Sequence, residues 1–202
     1  MTERCAPSYL EGDPFVRKFL AASLVAVATS ASAAPEGFTL DSRHTFPTFQ
    51  VNHLGISMQF GRFNKTSGKI VVDREARTGT ADITIDPASI DMGIDKWDEA
   101  MRGEDWFNVA QFPTVTFKSP RLLFEGDKVV GAEGEFTLLG VTRPLTLKLS
   151  GFNCIAHPLN KKTVCGGTAT ATIKRSEFGL TRQLPGIGDE VSLTIPVEAF
   201  KD

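Results

Sequence analysis

From Gly37 onward the chain repeats a pattern that few folds accept: apolar and polar residues alternate with a period of two, in short runs separated by turn signals. In "TADITID" (80–86), Ala81, Ile83 and Ile85 oppose Thr80, Asp82 and Thr84. In "LTLKLSG" (145–151), Leu145, Leu147 and Leu149 oppose Thr146, Lys148 and Ser150, and in "VSLTIPV" (191–197) Val191, Leu193, Ile195 and Val197 share a side. Successive strand side chains point to opposite faces, so each run has one wet and one dry face, as antiparallel strands do. Further candidate strands are 37–43, 47–54, 58–64, 67–73, 114–124, 128–139 and 168–175, with turn signals at 64–68, 77–79, 125–127 and Gly140. No amphipathic segment between them is long enough for a parallel crossover. The expected architecture is all-β, an up-and-down antiparallel meander closed into a barrel.

The segment "TATATIK" (168–174) raises a question of volume. Ala169, Ala171 and Ile173 share one face, and Thr168, Thr170 and Thr172 the other. A filled core wants bulkier side chains. Either the alanines face inward and leave a lumen, or the threonines do; parity alone does not choose. One region departs from the alternation. "SIDMGIDKWDEAMRGEDWFNVAQFPTVTF" (89–117) predicts a short helix over 96–102, with Asp95 as its N-cap and Gly103 as its stop. Trp97 and Met101 are four apart and share a face, and Trp106, Phe107 and Phe112 follow. This segment is either a plug at one end of the barrel or the rim of an entrance.

The first residues have a different character. Arg17 and Lys18, an apolar run over 19–28, and Ala31-Ser32-Ala33 form the three regions of a secretory signal, with cleavage expected after Ala33. The acids and prolines of "MTERCAPSYLEGDPF" do not fit such a signal. The expectation is that translation starts at Val16 and that residues 1–15 are a mis-assigned start. The mature domain is then 34–202, and its expected location is the periplasm. Without Cys5, two cysteines remain, Cys154 and Cys165, and an even count in an oxidising compartment favours a disulfide. A metal site including His157 is the rival reading, but no fourth ligand has suitable spacing. The net charge of −2 provides no general attraction to nucleic acid or to an anionic membrane.

Seven segments, in order through the mature chain, together resemble the YceI-like family, lipocalin-like polyisoprenoid-binding proteins of bacterial periplasms. They are "LDSRHT" (40–45) with His53 beyond it, "GRFNKTSGKI" (61–70), "DPASIDMG" (86–93), "EDWFNVAQFPTVTFKS" (104–119), "GEFTLLGVTRPLTLKL" (134–149), "IKRSEFG" (173–179) and "GDEVSLTIPVEAF" (188–200). The resemblance implies an eight-stranded antiparallel, lipocalin-like barrel with a short helix between strands. It further implies a long apolar channel holding a polyprenyl chain or an isoprenoid quinone. The family often carries Arg-Asp-x-His-Leu where this chain has Trp97-Asp98-Glu99-Ala100-Met101, so no head-group role carries over to Trp97 or Ala100.

On this reading the apolar lining and mouth are expected from Phe49, His53, Phe60, Phe63, Trp97 and Met101, continued by Trp106, Phe107, Phe117 and Phe136, and by Ala169, Ala171 and Phe178. The 15 Phe against one Tyr suit rings buried without hydroxyl partners. His44, Arg62 and Arg175 are head-group candidates, with Arg175 favoured as a structural group. The expected partners are an isoprenoid lipid, a membrane during loading or release, and a second copy of the chain. No cofactor, metal or nucleic acid is expected. An enzyme is the alternative class: Asp41, His44 and His53 suggest a metal hydrolase. Residues nine apart on an unbroken strand face opposite sides, however, and no nucleophile elbow, zinc-helix motif or phosphate loop is present. A structural or stress protein with incidental lipid is the third reading.

Overall fold

The computed structural model describes residues 34–202. The signal segment and the translation start lie outside the described residues. Strands β1 (Glu36–Leu40), β2 (Thr48–His53), β3 (Ser57–Phe63), β4 (Thr66–Asp73), β5 (Thr78–Ile85) and the short β6 (Ile90–Asp91) precede helix α1 (Asp95–Arg102). They are followed by β7 (Val115–Glu125), β8 (Lys128–Leu138), β9 (Val141–Ala156), β10 (Thr163–Lys174) and β11 (Ile187–Lys201).

All pairings are antiparallel, and β11 closes the sheet by pairing with β1, Leu40 opposite Ala199. The ring β1-β4-β5-β7-β8-β9-β10-β11 is a closed eight-stranded barrel. Three of its strands are interrupted and resume: β2 continues β1 along β11, β3 leads into β4, and β6 continues β5. Two of the interruptions have an evident local cause. After β1, Asp41 Oδ1 accepts the Arg43 N–H at 3.0 Å and Thr45 Oγ1 bonds both the N–H and C=O of Glu198, while Pro47 has no N–H for a ladder. Between β5 and β6, Pro87 opens a one-turn 3₁₀ helix capped by Asp86, whose side chain accepts from Ala88 N.

The helix is one residue longer than its pattern implies, and its N-cap is Ile94, with no side-chain cap. Asp95 is therefore inside the first turn, where its charge favours the helix dipole. Arg102 fixes the helix to the wall: its Nε donates to Ala88 O at 2.8 Å and its Nη2 to Ile90 O at 3.2 Å. No residue of α1 is buried. The helix is thus a rim, and Phe107 beyond it supplies the packing, edge-on to Phe63 with ring centroids 5.3 Å apart. The barrel's buried layer is largely aliphatic and phenylalanine: Phe38, Leu40, Ile85, Val115, Phe117, Leu122 and Phe136 are all below 9% exposed.

Candidate functional site

Inside the barrel lies a cavity of about 540 Å³, within the range of roughly 300–1,000 Å³ occupied by small-molecule sites. Its walls come from the inward face of nearly every strand. Leu145, Leu147 and Leu149 of β9 and Val191, Leu193, Ile195 and Val197 of β11 flank β10 on one side of the lumen, and Ile70 of β4, Ile83 of β5 and Val129 of β8 line it further round the ring. Ala169 lines this cavity at 4% exposure, while Thr170 and Thr172 are exposed. The alanines of β10 face inward, and the wall there is thin. Gly131, Gly166 and Gly167 thin it further. At Gly131 a Cβ would come within 2.4 Å of the Leu147 carbonyl, so the close strand approach itself requires glycine.

The two ends of the cavity differ. At one end stand Trp97, Ala100 and Met101 of α1, then Met92, Trp106 and Phe107, facing Phe49, Val51 and His53 of β2 and Gln59 of β3. Gly61 makes this approach possible: a Cβ there would collide with the Phe49 ring and with Met92 Sδ at 2.4 and 2.5 Å. The segment after β10 completes the rim with Leu180 and Gln183. It is held by Arg175, whose Nε donates to Gly188 O, Nη1 to Leu180 O and Nη2 to Ile187 O, at 2.7 to 2.8 Å. Burial pulls the Arg175 guanidinium below its usual value, and the Asp189 charge opposes that shift. Asp189 is itself held low, first by the Ser176 N–H it accepts.

At the other end the disulfide Cys154–Cys165 joins directly opposed residues of β9 and β10, Cα atoms 4.1 Å apart. Arg74 lines the cavity beside it: Nη2 lies 3.2 Å from Cys154 Sγ, the guanidinium carbon lies 5.5 Å from the Phe152 ring centroid, and Nε reaches Glu36 at 3.4 Å. Glu36 is held below the usual carboxylate range, chiefly by its hydrogen bond from Lys201. The lumen therefore carries Arg74 at this end, and His53, Gln59 and Gln183 as hydrogen-bonding groups beside the committed Arg175 at the other.

Of the residues singled out from sequence, Phe49, His53, Phe63, Trp97, Met101, Trp106, Phe107, Phe117, Phe136 and Ala169 lie on the cavity wall. Of the others, all but Arg175 lie off the wall, for identifiable reasons. Phe60 points out of the barrel at 64% exposure, because Gln59, Gly61 and Phe63 take the inward face of β3. Ala171 shares the side of Ala169 but does not reach the wall. Phe178 is buried behind Phe136, edge-on at 5.5 Å. Arg62 lies outside, 3.3 Å from Asp91 and over the Phe46 ring. Arg175 reaches the wall with its donors committed to three carbonyls.

His44 is also outside, with Nδ1 2.8 Å from Asp41 Oδ2 and 3.9 Å from Glu198 Oε2. Burial raises the Asp41 pKa, but hydrogen bonds from His44 and the Arg43 N–H outweigh it and the carboxyl titrates low. His53 faces the lumen, so the two histidines do not converge. The leucines of β9 were legible as an inward face. Arg74 gave no such signal: a charge just past a strand end reads as solvated turn.

Comparison with known proteins agrees with this geometry. The YceI-like domain profile matches residues 38–199. Protein YceI of Salmonella arizonae is 33% identical over 184 residues, covering 91% of this chain and 95% of that protein. The crystal structure of Campylobacter jejuni YceI superposes with a TM-score of 0.62 at 26% identity, covering 75% of this chain and 90% of that one. A polyisoprenoid-binding domain from Saccharophagus degradans, described as implicated in plant cell wall breakdown, has the same fold (TM-score 0.57, 20% identity, covering 82% and 98%). With the profile running from β1 to β11 and a homologous chain matched over nearly its whole length, this chain belongs to the YceI-like family.

Proposed function

We propose that this protein is a non-catalytic carrier of an isoprenoid lipid, a polyprenyl chain or an isoprenoid quinone, working in the periplasm after loss of residues 1–33. The observation that carries the reading is the apolar cavity of about 540 Å³ whose polar lining is concentrated at its two ends. Family membership and the polyisoprenoid-binding description of the Saccharophagus domain support it. The tail lies among Phe117, Phe136, Leu147 and Ala169, and Trp97, Met101 and Trp106 border its way in. His53, Gln59 and Gln183 are the hydrogen-bonding groups placed to meet a quinone ring or a prenyl head group.

The energetics suit transport rather than storage. Burying each CH₂ from water contributes ~0.8 kcal/mol, which over a long tail would exceed the ceiling of about 18–21 kcal/mol for non-covalent complexes. The competing environment is a bilayer, equally apolar, so the net preference is small and the lipid exchanges. Rigid aromatic walls and the hydrogen-bonding groups at the mouth then decide selectivity.

The test is native mass spectrometry of protein purified without detergent, followed by organic extraction. A stoichiometric prenyl lipid that Ala169→Phe eliminates is the expected result. In a filled core such overpacking costs about 1–3 kcal/mol; in a lumen it fills space and leaves the melting temperature of the empty protein nearly unchanged. A protein without lipid, destabilised by Ala169→Phe, would overturn the proposal.

A further inference from the structure

Among the described residues nine large hydrophobic side chains are exposed, and six border the α1 end of the cavity: Leu54 (60%), Ile56 (82%), Met58, Phe60 (64%), Ile94 and Trp97. They belong to two neighbouring elements. The β2–β3 hairpin carries the first four, and β6, paired to β3 at Arg62 and Phe63, leads directly into Ile94 and α1. Trp97 is both 44% exposed and part of the cavity wall, so the outer patch and the lumen are continuous.

The hairpin tip violates local rules for little packing: Leu54 lies against Gly186 yet stays 60% exposed. Leu54 has φ +58° and Gly55 φ +69°, a turn that favours Asn-Gly or Gly-Gly. A leucine in the left-handed region is strained, and here it is also solvent-exposed. Ile56, beside it, is the most exposed of these six side chains. From His53 to Gly61 the chain reads "HLGISMQFG", without one Lys, Arg, Asp or Glu. Sites where good local chemistry is given up for little structural compensation are expected to be functional, and an exposed apolar patch of this kind marks an interaction surface.

We infer that the β2–β3 hairpin, with Trp97 beside it, is a membrane-docking tip that inserts Leu54 and Ile56 into the apolar boundary of a bilayer and places the cavity mouth against it. The inference rests on the carrier reading for what passes through the mouth. A bilayer fits better than a second copy of this chain. A stable dimer needs roughly 800 Å² and 20–30 residues from each partner, whereas this patch is a narrow tip with Asp95, Lys96 and Glu99 on the helix beside it. Tryptophan at the edge of the patch suits the membrane interface. With no cation on the tip, docking uses apolar insertion and does not depend on anionic lipid or low salt, unlike polybasic docking.

Trp97 and Trp106 are the only tryptophans, so the protein reports on itself. Phosphatidylcholine vesicles with brominated acyl chains should quench Trp97, measured in a Trp106→Phe background, equally at low and high salt. Leu54→Ser combined with Ile56→Asp, both exposed enough to leave folding intact, should reduce vesicle partitioning at least tenfold. Absence of quenching, or equal quenching in the double variant, overturns the inference. So does a sedimentation result in which the double variant converts a dimer to a monomer, which would make the patch a self-interface. Uptake of menaquinone-4 added from a detergent-free dispersion separates the two readings: a double variant that still binds it has lost docking alone, and a protein that docks without binding it refutes the carrier reading alone.

Discussion

The two ends of the barrel are built by opposite rules. The end at Arg74 is cross-linked and charged: a disulfide joins β9 to β10, Glu36 bridges Arg74 and Lys201, and Asp202 accepts from Lys69 at 3.0 Å. Its turns read Arg74-Glu75-Ala76-Arg77, Gly126-Asp127 and 157–162 with Lys161 and Lys162. The hairpin turns at the α1 end, Leu54-Gly55-Ile56 and Leu139-Gly140, carry no charge. There the long segment after β10 is held by side chain to backbone bonds from Arg175. A barrel that must admit an apolar guest needs one end that resists opening and one that tolerates it; the disulfide at one end and the uncharged hairpin turns at the other provide both.

The strongest way to break this comparison is at the α1 end. Arg175→Met removes three hydrogen bonds from a guanidinium that is 3% exposed and leaves carbonyls of Leu180, Ile187 and Gly188 short of donors. Hydrogen bonds to charged groups contribute about 1.5–3 kcal/mol each, with incomplete additivity. A loss of about 3–5 kcal/mol in denaturant unfolding is expected, comparable to breaking a buried ion network. A loss below about 1 kcal/mol would mean that the rim stands without Arg175. At the opposite end, Cys154→Ala with Cys165→Ala opens a loop of sequence separation 11, for which chain entropy predicts about 2–3 kcal/mol. That variant should unfold earlier yet bind menaquinone-4 with unchanged stoichiometry, because the lipid enters at the other end. Loss of binding would show that the cross-linked end shapes the lumen itself.

The barrel wall was legible in the sequence, and what was missed has physical causes. Alternation placed Leu145, Leu147 and Leu149 on one face, and these residues line the lumen. The pattern breaks at Gly151 (φ +68°), where two residues of β9 oppose one of β10, so Phe152 and Cys154 resume the inward face out of phase and the strand runs on to Ala156. Phe60 was misplaced because size suggested burial. Its neighbour Gly61 is the inward residue, since Phe49 and Met92 already fill that space. Proline and Asx turns that interrupt strands look like ordinary strand ends in sequence; only register shows β1 and β2 running along one partner. Arg74 could not be read at all, because its place beside the disulfide depends on strands eighty residues away in the chain.

A smaller effect sharpens the role of the rim. Trp97→Ala removes a half-exposed side chain from α1, so stability should change by no more than about 0.5–1 kcal/mol. Leu54 and Ile56, which carry most of the docking, are left in place. Transfer of menaquinone-4 from protein to vesicles, at saturating vesicle concentration, should therefore accelerate about tenfold, equivalent to about 1.4 kcal/mol of barrier. Stopped-flow quenching by acceptor vesicles measures it. A variant that loses stability while transferring at the original rate would return α1 to the role of a packing plug.

The smallest expected effect concerns acid. Glu36 is held low first by Lys201, Asp202 by Thr39 and then Lys69, Asp91 by Asn64, and Asp189 by the Ser176 N–H. In the unfolded chain these carboxyls take up protons near pH 4; in the folded barrel they resist until lower pH. Their contribution is therefore complete above the unfolded values and lost as pH falls through the folded ones. All four are partly solvated, so each contribution is screened and small. The two ends differ in the leading partner: Lys201 comes first for Glu36, whereas the Ser176 N–H comes first for Asp189 and the Asn64 amide for Asp91, with Arg175, Lys174 and Arg62 adding less. Raising ionic strength at pH 5 should therefore speed amide exchange at Gly37 and Thr39 more than at Ser176 and Gly93. Equal response at both ends would show that charge at the cross-linked end does not maintain its closure and would leave that role to the disulfide.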